Sequence, residues 1–396
     1  MAQTAPAAHG EAERLSWYRT MRDTQPVARD EKTGRWDVFR YQDVAAILAD
    51  HRTFSSDFSV VMPEEAELME GNILAMDPPR HNRLRSLVSK AFTPAAIGRL
   101  EGRIAELTEE LLDGVAGRTR IELVDDLAYP LPVTVIAEML GVPAEDRPRF
   151  KEWADALLAR DSADAADDRA ARERAKQDLK RFSDYLQQHV TDRRARRQRG
   201  GQDLLSDLVA AEIDGERLDD QEIVGFATVL LIAGHITTTA LLGNAIRCFD
   251  EHPEAQATLR ADPDAMPVAI EEVLRYRSPF ALTARVTATE VRLGDQAIPP
   301  KQMVGVWLLS ANRDERQFPA PDAFRIDRQP NAHLGFGRGV HFCLGAPLAR
   351  LEARVALSIL LRRYARIEVD PDHPLEPYPD PAFNSLKTLH LRVEPA

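Results

Sequence analysis

The chain predicts a mainly α fold with a small β portion, on three observations. Apolar residues recur at helical spacing through ten segments, strand-like runs are few and short, and one helical segment, 220–251, is unusually long. In chain order the helical segments are 41–50, 79–91, 94–116, 131–140, 147–158, 170–198, 220–251, 253–262, 265–276 and 348–365. Asp220 reads as the N-cap of the long one. In its middle, Ala233-Gly234-His235-Ile236-Thr237-Thr238, a glycine precedes a β-branched cluster, so a kink or local widening is expected. Strands are expected at 36–40, 284–289, 291–293, 303–309 and 388–393, and 319–331 reads as irregular. The acidic run 161–168 reads as a surface loop, and the basic run 193–199 as a solvated helix end.

With 396 residues, 44% hydrophobic and 29% charged, the chain has ample apolar material for a core. Its two cysteines, Cys248 and Cys343, exclude a disulfide scaffold and a cysteine-only zinc or iron–sulfur site, and point to a reducing cytoplasm. The first residues lack a basic segment followed by an apolar one, and the greasy run 226–236 is too short for a bilayer. The expectation is a protein neither secreted nor membrane-anchored. A net charge of −12 argues against nucleic acid as a partner.

The most informative run is Phe336-Gly337-Arg338-Gly339-Val340-His341-Phe342-Cys343-Leu344-Gly345. It places one cysteine in a glycine-rich loop leading into a helix. Unpaired N–H groups and the helix dipole there are expected to stabilise a thiolate and lower its pKa. Gly337, Gly339 and Gly345 permit unusual angles and a close approach to a flat partner. Pro347 fits the first helical turn. Such a sulfur suits a metal ligated from one side.

This loop closely resembles the heme-ligand loop of the cytochrome P450 family, and the resemblance extends over nearly the whole chain, as a single domain spanning 1–396. It implies the P450 fold, with the long helix over heme b (iron protoporphyrin IX) and Cys343 as the iron ligand. Phe336 would then shield the iron–sulfur bond. His81, Arg85, Arg285 and His341 match the family's contacts to the heme propionates. Glu272 and Arg275, joined by Arg328, match a buried motif that locks the segment before the loop, and Asn312-Arg313-Asp314 matches the stretch between strand and loop. On the distal side Ala233, Gly234 and Thr237 match the segment facing the iron. There the glycine opens the helix for dioxygen, and the threonine hydroxyl donates a hydrogen bond to bound oxygen. A threonine in a helix also bonds back to its own backbone.

One departure stands out: Ile236 occupies the position of the usual acid. Protons would come instead through His235, Thr238 or bound water, although His235 reads equally as a core histidine. Cys248 reads as a core thiol.

The resemblance implies a monooxygenase that uses O2 and hydroxylates a C–H bond or epoxidises an alkene. Its electrons would come ultimately from NAD(P)H through a separate ferredoxin and ferredoxin reductase, since no dinucleotide fingerprint is found. Lys90, Arg338 and Arg350 are candidate docking cations, though each reads equally as a solvated charge. The distal variant resembles macrolide-tailoring members, which points to a hydrophobic secondary metabolite, with fatty acid, terpenoid or steroid as alternatives. Candidate substrate contacts are Val61, Leu74, Val229, Ile232, Phe280, Ala281, Leu282 and Phe383, of which Phe280 and Leu282 read equally as core. Turnover driven by hydrogen peroxide and a non-catalytic binding module are the competing readings. The expected oligomeric state is a monomer.

Overall fold

In a computed structural model, the structure describes residues 10–63, 71–150, 152–153, 169–195, 203–213 and 215–396. Helix Asp220–Glu251 runs through the centre. It packs against helices Pro130–Met139, Arg169–Ala195 and Ala346–Arg363. A capping box starts it one residue earlier than expected. Glu222 N–H donates to Asp219 Oδ1 (2.7 Å), and Asp219 N–H donates back to Glu222 Oε2 (3.2 Å). Asp220 is therefore not the cap. Its carboxylate instead accepts from Arg194 Nε (2.5 Å) and Gln187 Nε2 (2.8 Å).

By length and composition this central helix could cross a membrane, yet 61% of its apolar window is buried inside the protein. No other helix among the described residues meets that test. The expected widening at 233–238 is not found, because the helix runs unbroken as α. The hydroxyls of Thr237 and Thr238 donate to Ala233 O (2.8 Å) and Gly234 O (2.9 Å), four residues back, so they accompany the backbone ladder without interrupting it.

Five strands form the larger sheet, in the order Val27–Arg29, Trp36–Val38, Met303–Val306, Thr283–Thr287 and Phe54–Ser55. Met303–Val306 runs parallel to Trp36–Val38 (Gly305 opposite Asp37), and every other pairing in this sheet is antiparallel. The expected strand 303–309 stops at Val306. Trp307 turns into an aromatic cluster with Trp17, Tyr18 and Phe39, and Leu308–Ala311 forms a short helix. The expected strand 388–393 is two strands in different sheets. Leu386–Thr388 pairs with Glu376–Pro377, whereas His390–Pro395 pairs with Tyr364–Val369 and Arg120–Glu122. Between them Leu389 N–H is taken by Glu122 Oε1 (2.5 Å).

The expected helix 94–116 is also two, Pro94–Gly98 and Glu101–Asp113, separated by a tight turn in which Leu100 N–H donates to Ile97 O (2.9 Å). Helices Glu11–Thr24 and Leu204–Ala210 were not expected. The acidic run 161–168, residues 151 and 154–158, and residues 196–199 lie outside the described residues. Arg193 and Arg194 are not solvated as expected. They are bound to Asp203 (3.0 Å) and Asp220 (2.5 Å).

Candidate active site

The loop before helix Ala346–Arg363 folds back on itself, with Cys343 N–H donating to Phe336 O (2.9 Å). Gly337 and Gly339 hold φ of 71° and 74°, the left-handed region that glycine enters freely. At Gly339 a Cβ would also lie 2.7 Å from the backbone oxygen of Leu48. Gly345 has an ordinary φ of −79°, so its expected special conformation is not found. Nor is the lowered thiol pKa. Burial pushes the Cys343 thiol up, and the N–H groups of Gly345 and Ala346 with the charges of Arg85 and Arg350 offset only part of that. A buried thiol of this kind ionises when a metal cation takes the place of its proton.

Beside the loop His81, Arg85, Arg285 and His341 come together. The His81 and His341 rings lie 4.2 Å apart, centroid to centroid. Arg85 Nη2 donates to Phe342 O (2.5 Å), directly before Cys343. Arg285 is 8% exposed, and burial pushes its pKa down to about 10, with the charge of Asp77 opposing. Burial, then the charges of His81, Arg285 and Arg85, bring His341 down to about 3. Nε2 of both histidines is buried without a hydrogen-bond partner, and none of the four residues makes an ion pair among the described residues. Unpaired buried donors gathered in one place are costly unless an anion completes them. The two propionates of heme fit this donor set, and the adjacent sulfur fits its iron.

The central helix is mostly buried, but Val229, Ile232, Ala233 and Thr237 stay half-exposed at helical spacing while Leu231, His235 and Ile236 are buried. This stripe is a surface a ligand can reach. Thr237 lies on this stripe, its Oγ1 2.8 Å from Ala233 O. A Cβ on Gly234 would lie 2.5 Å from Ile136 Cδ1, so this glycine admits a neighbouring helix. Buried His235 has Nδ1 2.5 Å from Leu231 O and its ring edge-on to Tyr129.

Phe280 and Phe383 form an isolated β-bridge with ring centroids 4.8 Å apart, and with Leu282 they are half-buried. Ala281 is fully buried in the cluster of Trp17 and Trp307. Leu282 packs against the same cluster, and Phe280 against the core beneath the larger sheet. Val61 is half-buried and Leu74 is 52% exposed.

Glu272 and Arg275 are fully buried in a bidentate pair (2.8 Å each) that Arg328 Nε joins at 3.0 Å. The two guanidinium groups also donate to the carbonyls of Asn312, Pro319, Ala320, Pro321 and Ala323. Among the docking cations Lys90 and Arg338 are exposed, but Arg350 is held by Glu271. Buried Cys248, pushed up to about 11 by burial, accepts from Arg277 Nη1 (3.5 Å).

Sequence reasoning missed Glu352. It is buried in helix Ala346–Arg363, which packs on the central helix. Burial pushes its pKa up to about 8, with the neighbouring Thr238 opposing, and its Oε1 is unpartnered. An acid sharing the apolar face of Leu348 and Val355 was the signal available in the sequence.

Residues 31–390 match the family model for cytochrome P450. Cyclomarin C epoxidase CymV of Salinispora arenicola is 43% identical, over 95% of this chain and 94% of that protein. Erythromycin C-12 hydroxylase of Saccharopolyspora erythraea is 47% identical, over 93% and 91%. The structure of the open cytochrome P450 Eryk from S. erythraea superposes with a TM-score of 0.91 at 44% identity, covering 98% of this chain and 97% of that one.

Proposed function

The chain belongs to the cytochrome P450 family and is an oxidoreductase of the monooxygenase class, and from that premise we propose that it hydroxylates or epoxidises a macrolide or related hydrophobic secondary metabolite. The observation that carries the site is the pair of buried, unpartnered Nε2 atoms of His81 and His341, with Arg85 and Arg285 beside them next to Cys343. His81, Arg85, Arg285 and His341 would hold the propionates, and Cys343 Sγ the iron. Heme held there supplies the activation of dioxygen. Phe336 keeps water from the sulfur. The half-exposed stripe Val229–Ile232–Ala233, with Phe280, Leu282 and Phe383, offers an apolar wall for substrate. One named relative is an epoxidase of cyclomarin C and the other a C-12 hydroxylase of erythromycin, which supports this reading.

Glu352 answers the missing acid at Ile236. Its raised pKa keeps its carboxyl protonated at neutral pH, and its side-chain neighbour Thr238 directly follows Thr237 in the chain. It is the proton-holding group of this reading. Electrons come from NAD(P)H through a ferredoxin reductase and a ferredoxin, whose acidic surface would meet Lys90 and Arg338. The chain acts as one domain, a monomer in the cytoplasm.

The test uses purified holoprotein. The reduced carbonyl complex should show the red-shifted band of a thiolate ligand. A spectral binding screen of macrolides, terpenes, steroids and fatty acids should favour the macrolides, and turnover should need the ferredoxin system. Binding of steroids or fatty acids alone would overturn the substrate assignment. Full turnover with peroxide and none with ferredoxin would overturn the electron route.

A further inference from the structure

Arg350 was expected on the surface as a docking cation; the structure gives it another place. Its guanidinium lies over the Phe336 ring, 4.5 Å from the centroid. Phe336 is the residue whose carbonyl accepts the Cys343 N–H. Arg350 is fixed by a bidentate fork to Glu271, Nε to Oε1 at 2.6 Å and Nη2 to Oε2 at 2.8 Å. His333 Nε2 lies 3.0 Å from the same Oε2. Gly335 N–H donates to His333 Nδ1 (3.1 Å), so Nδ1 is the acceptor nitrogen and Nε2 carries the hydrogen donated to Glu271. Glu271 thus receives three hydrogen bonds, and Arg350 is held against the ring by a carboxylate that His333 also fixes. The fork lines a groove of about 550 Å³, walled by Pro94, Ile97, Pro267 and Pro347, so one side of the charge faces water.

We propose that Arg350, set on Phe336 by Glu271 and His333, is a positioning residue that tunes the electron affinity of the iron bound to Cys343. Reduction of a thiolate-ligated iron adds negative charge beside the sulfur, and a fixed cation one ring away favours it. Glu271 both orients that cation and offsets part of its field. Removing one or the other therefore shifts the iron in opposite directions. The inference rests on Cys343 as the ligand and is independent of the substrate assignment.

The experiment is spectroelectrochemical titration of substrate-free holoprotein. Arg350→Met should lower the one-electron reduction equilibrium about threefold to tenfold, the order expected of a half-exposed charge; tenfold corresponds to about 59 mV. Glu271→Gln should raise it. Arg350→Lys, which keeps charge but loses the fork and the flat stack, should fall between wild type and Arg350→Met. A purely structural role would lower thermal stability in all three without separating the signs. Shifts of the same sign in Arg350→Met and Glu271→Gln, or none beyond twofold with the thiolate band intact, overturn the proposal. If Arg350→Met loses heme, Glu271→Gln and Arg350→Lys decide it alone. A wild type without the thiolate band would instead sink the assignment of Cys343.

Discussion

Arg275 and Arg285 are buried arginines ten residues apart, and they are satisfied in opposite ways. Arg275 spends its donors on Glu272 and on three backbone carbonyls, with Arg328 closing the other side of the carboxylate. Arg285 donates to Ala284 O, forms no ion pair among the described residues, and is pushed down by burial, with the charge of Asp77 opposing. The first arrangement is complete within the protein and fixes the segment leading to the loop. The second is complete only when an anion arrives. The same side chain is a fastener where its partners are internal and a binding group where they are missing.

Replacing the sulfur tests the unsatisfied region most severely. Cys343→Ser should abolish the thiolate band and reduce turnover below detection, while urea unfolding of the apoprotein changes by no more than about 1 kcal/mol. Breaking the satisfied region has the opposite profile. Arg275→Met should cost about 3–5 kcal/mol in urea unfolding of the apoprotein, because it strands Glu272.

Glu352 gives a pH test on the same logic. Its folded pKa of about 8 lies above the unfolded value, so its contribution to stability is complete below about pH 4 and is lost as pH rises toward 8. Within that window Glu352→Gln should flatten the fall in stability by up to about 1.4 kcal/mol per pH unit, read by urea unfolding at a series of pH values. The smallest effect is expected at Arg285. Arg285→Met should leave apoprotein stability unchanged or raised, yet speed heme loss about tenfold to a hundredfold, from one charge-assisted bond of about 1.5–3 kcal/mol. A loss of apoprotein stability equal to that of Arg275→Met would erase the distinction between the two arginines.

Much of the fold was legible because helices obey local rules. The bounds of the central helix were read correctly from apolar periodicity, although its cap was misplaced by one residue because Asp219 and Asp220 are chemically equivalent caps. Short strands were read less well. The run from Leu386 to Val393 looks continuous in sequence, and it is divided at Leu389 by the side chain of Glu122 and the backbone of Leu123, far away in the chain. Arg350 was misplaced for a related reason. Nothing local marks an arginine whose partner is 79 residues away.

The sequence alone determined which residues carry chemistry: a cysteine in a glycine-rich loop, cations at motif positions, a threonine after a glycine in the long helix. These are covalent facts, fixed by residue type and spacing. Tertiary structure decided the state of each group. Whether a thiol is pushed up, a hydroxyl is already committed, a carboxyl keeps its proton or an arginine is free depends on burial and on neighbours brought in from elsewhere. Solvation and Coulomb energies depend on distance in space, which separation along the chain does not encode.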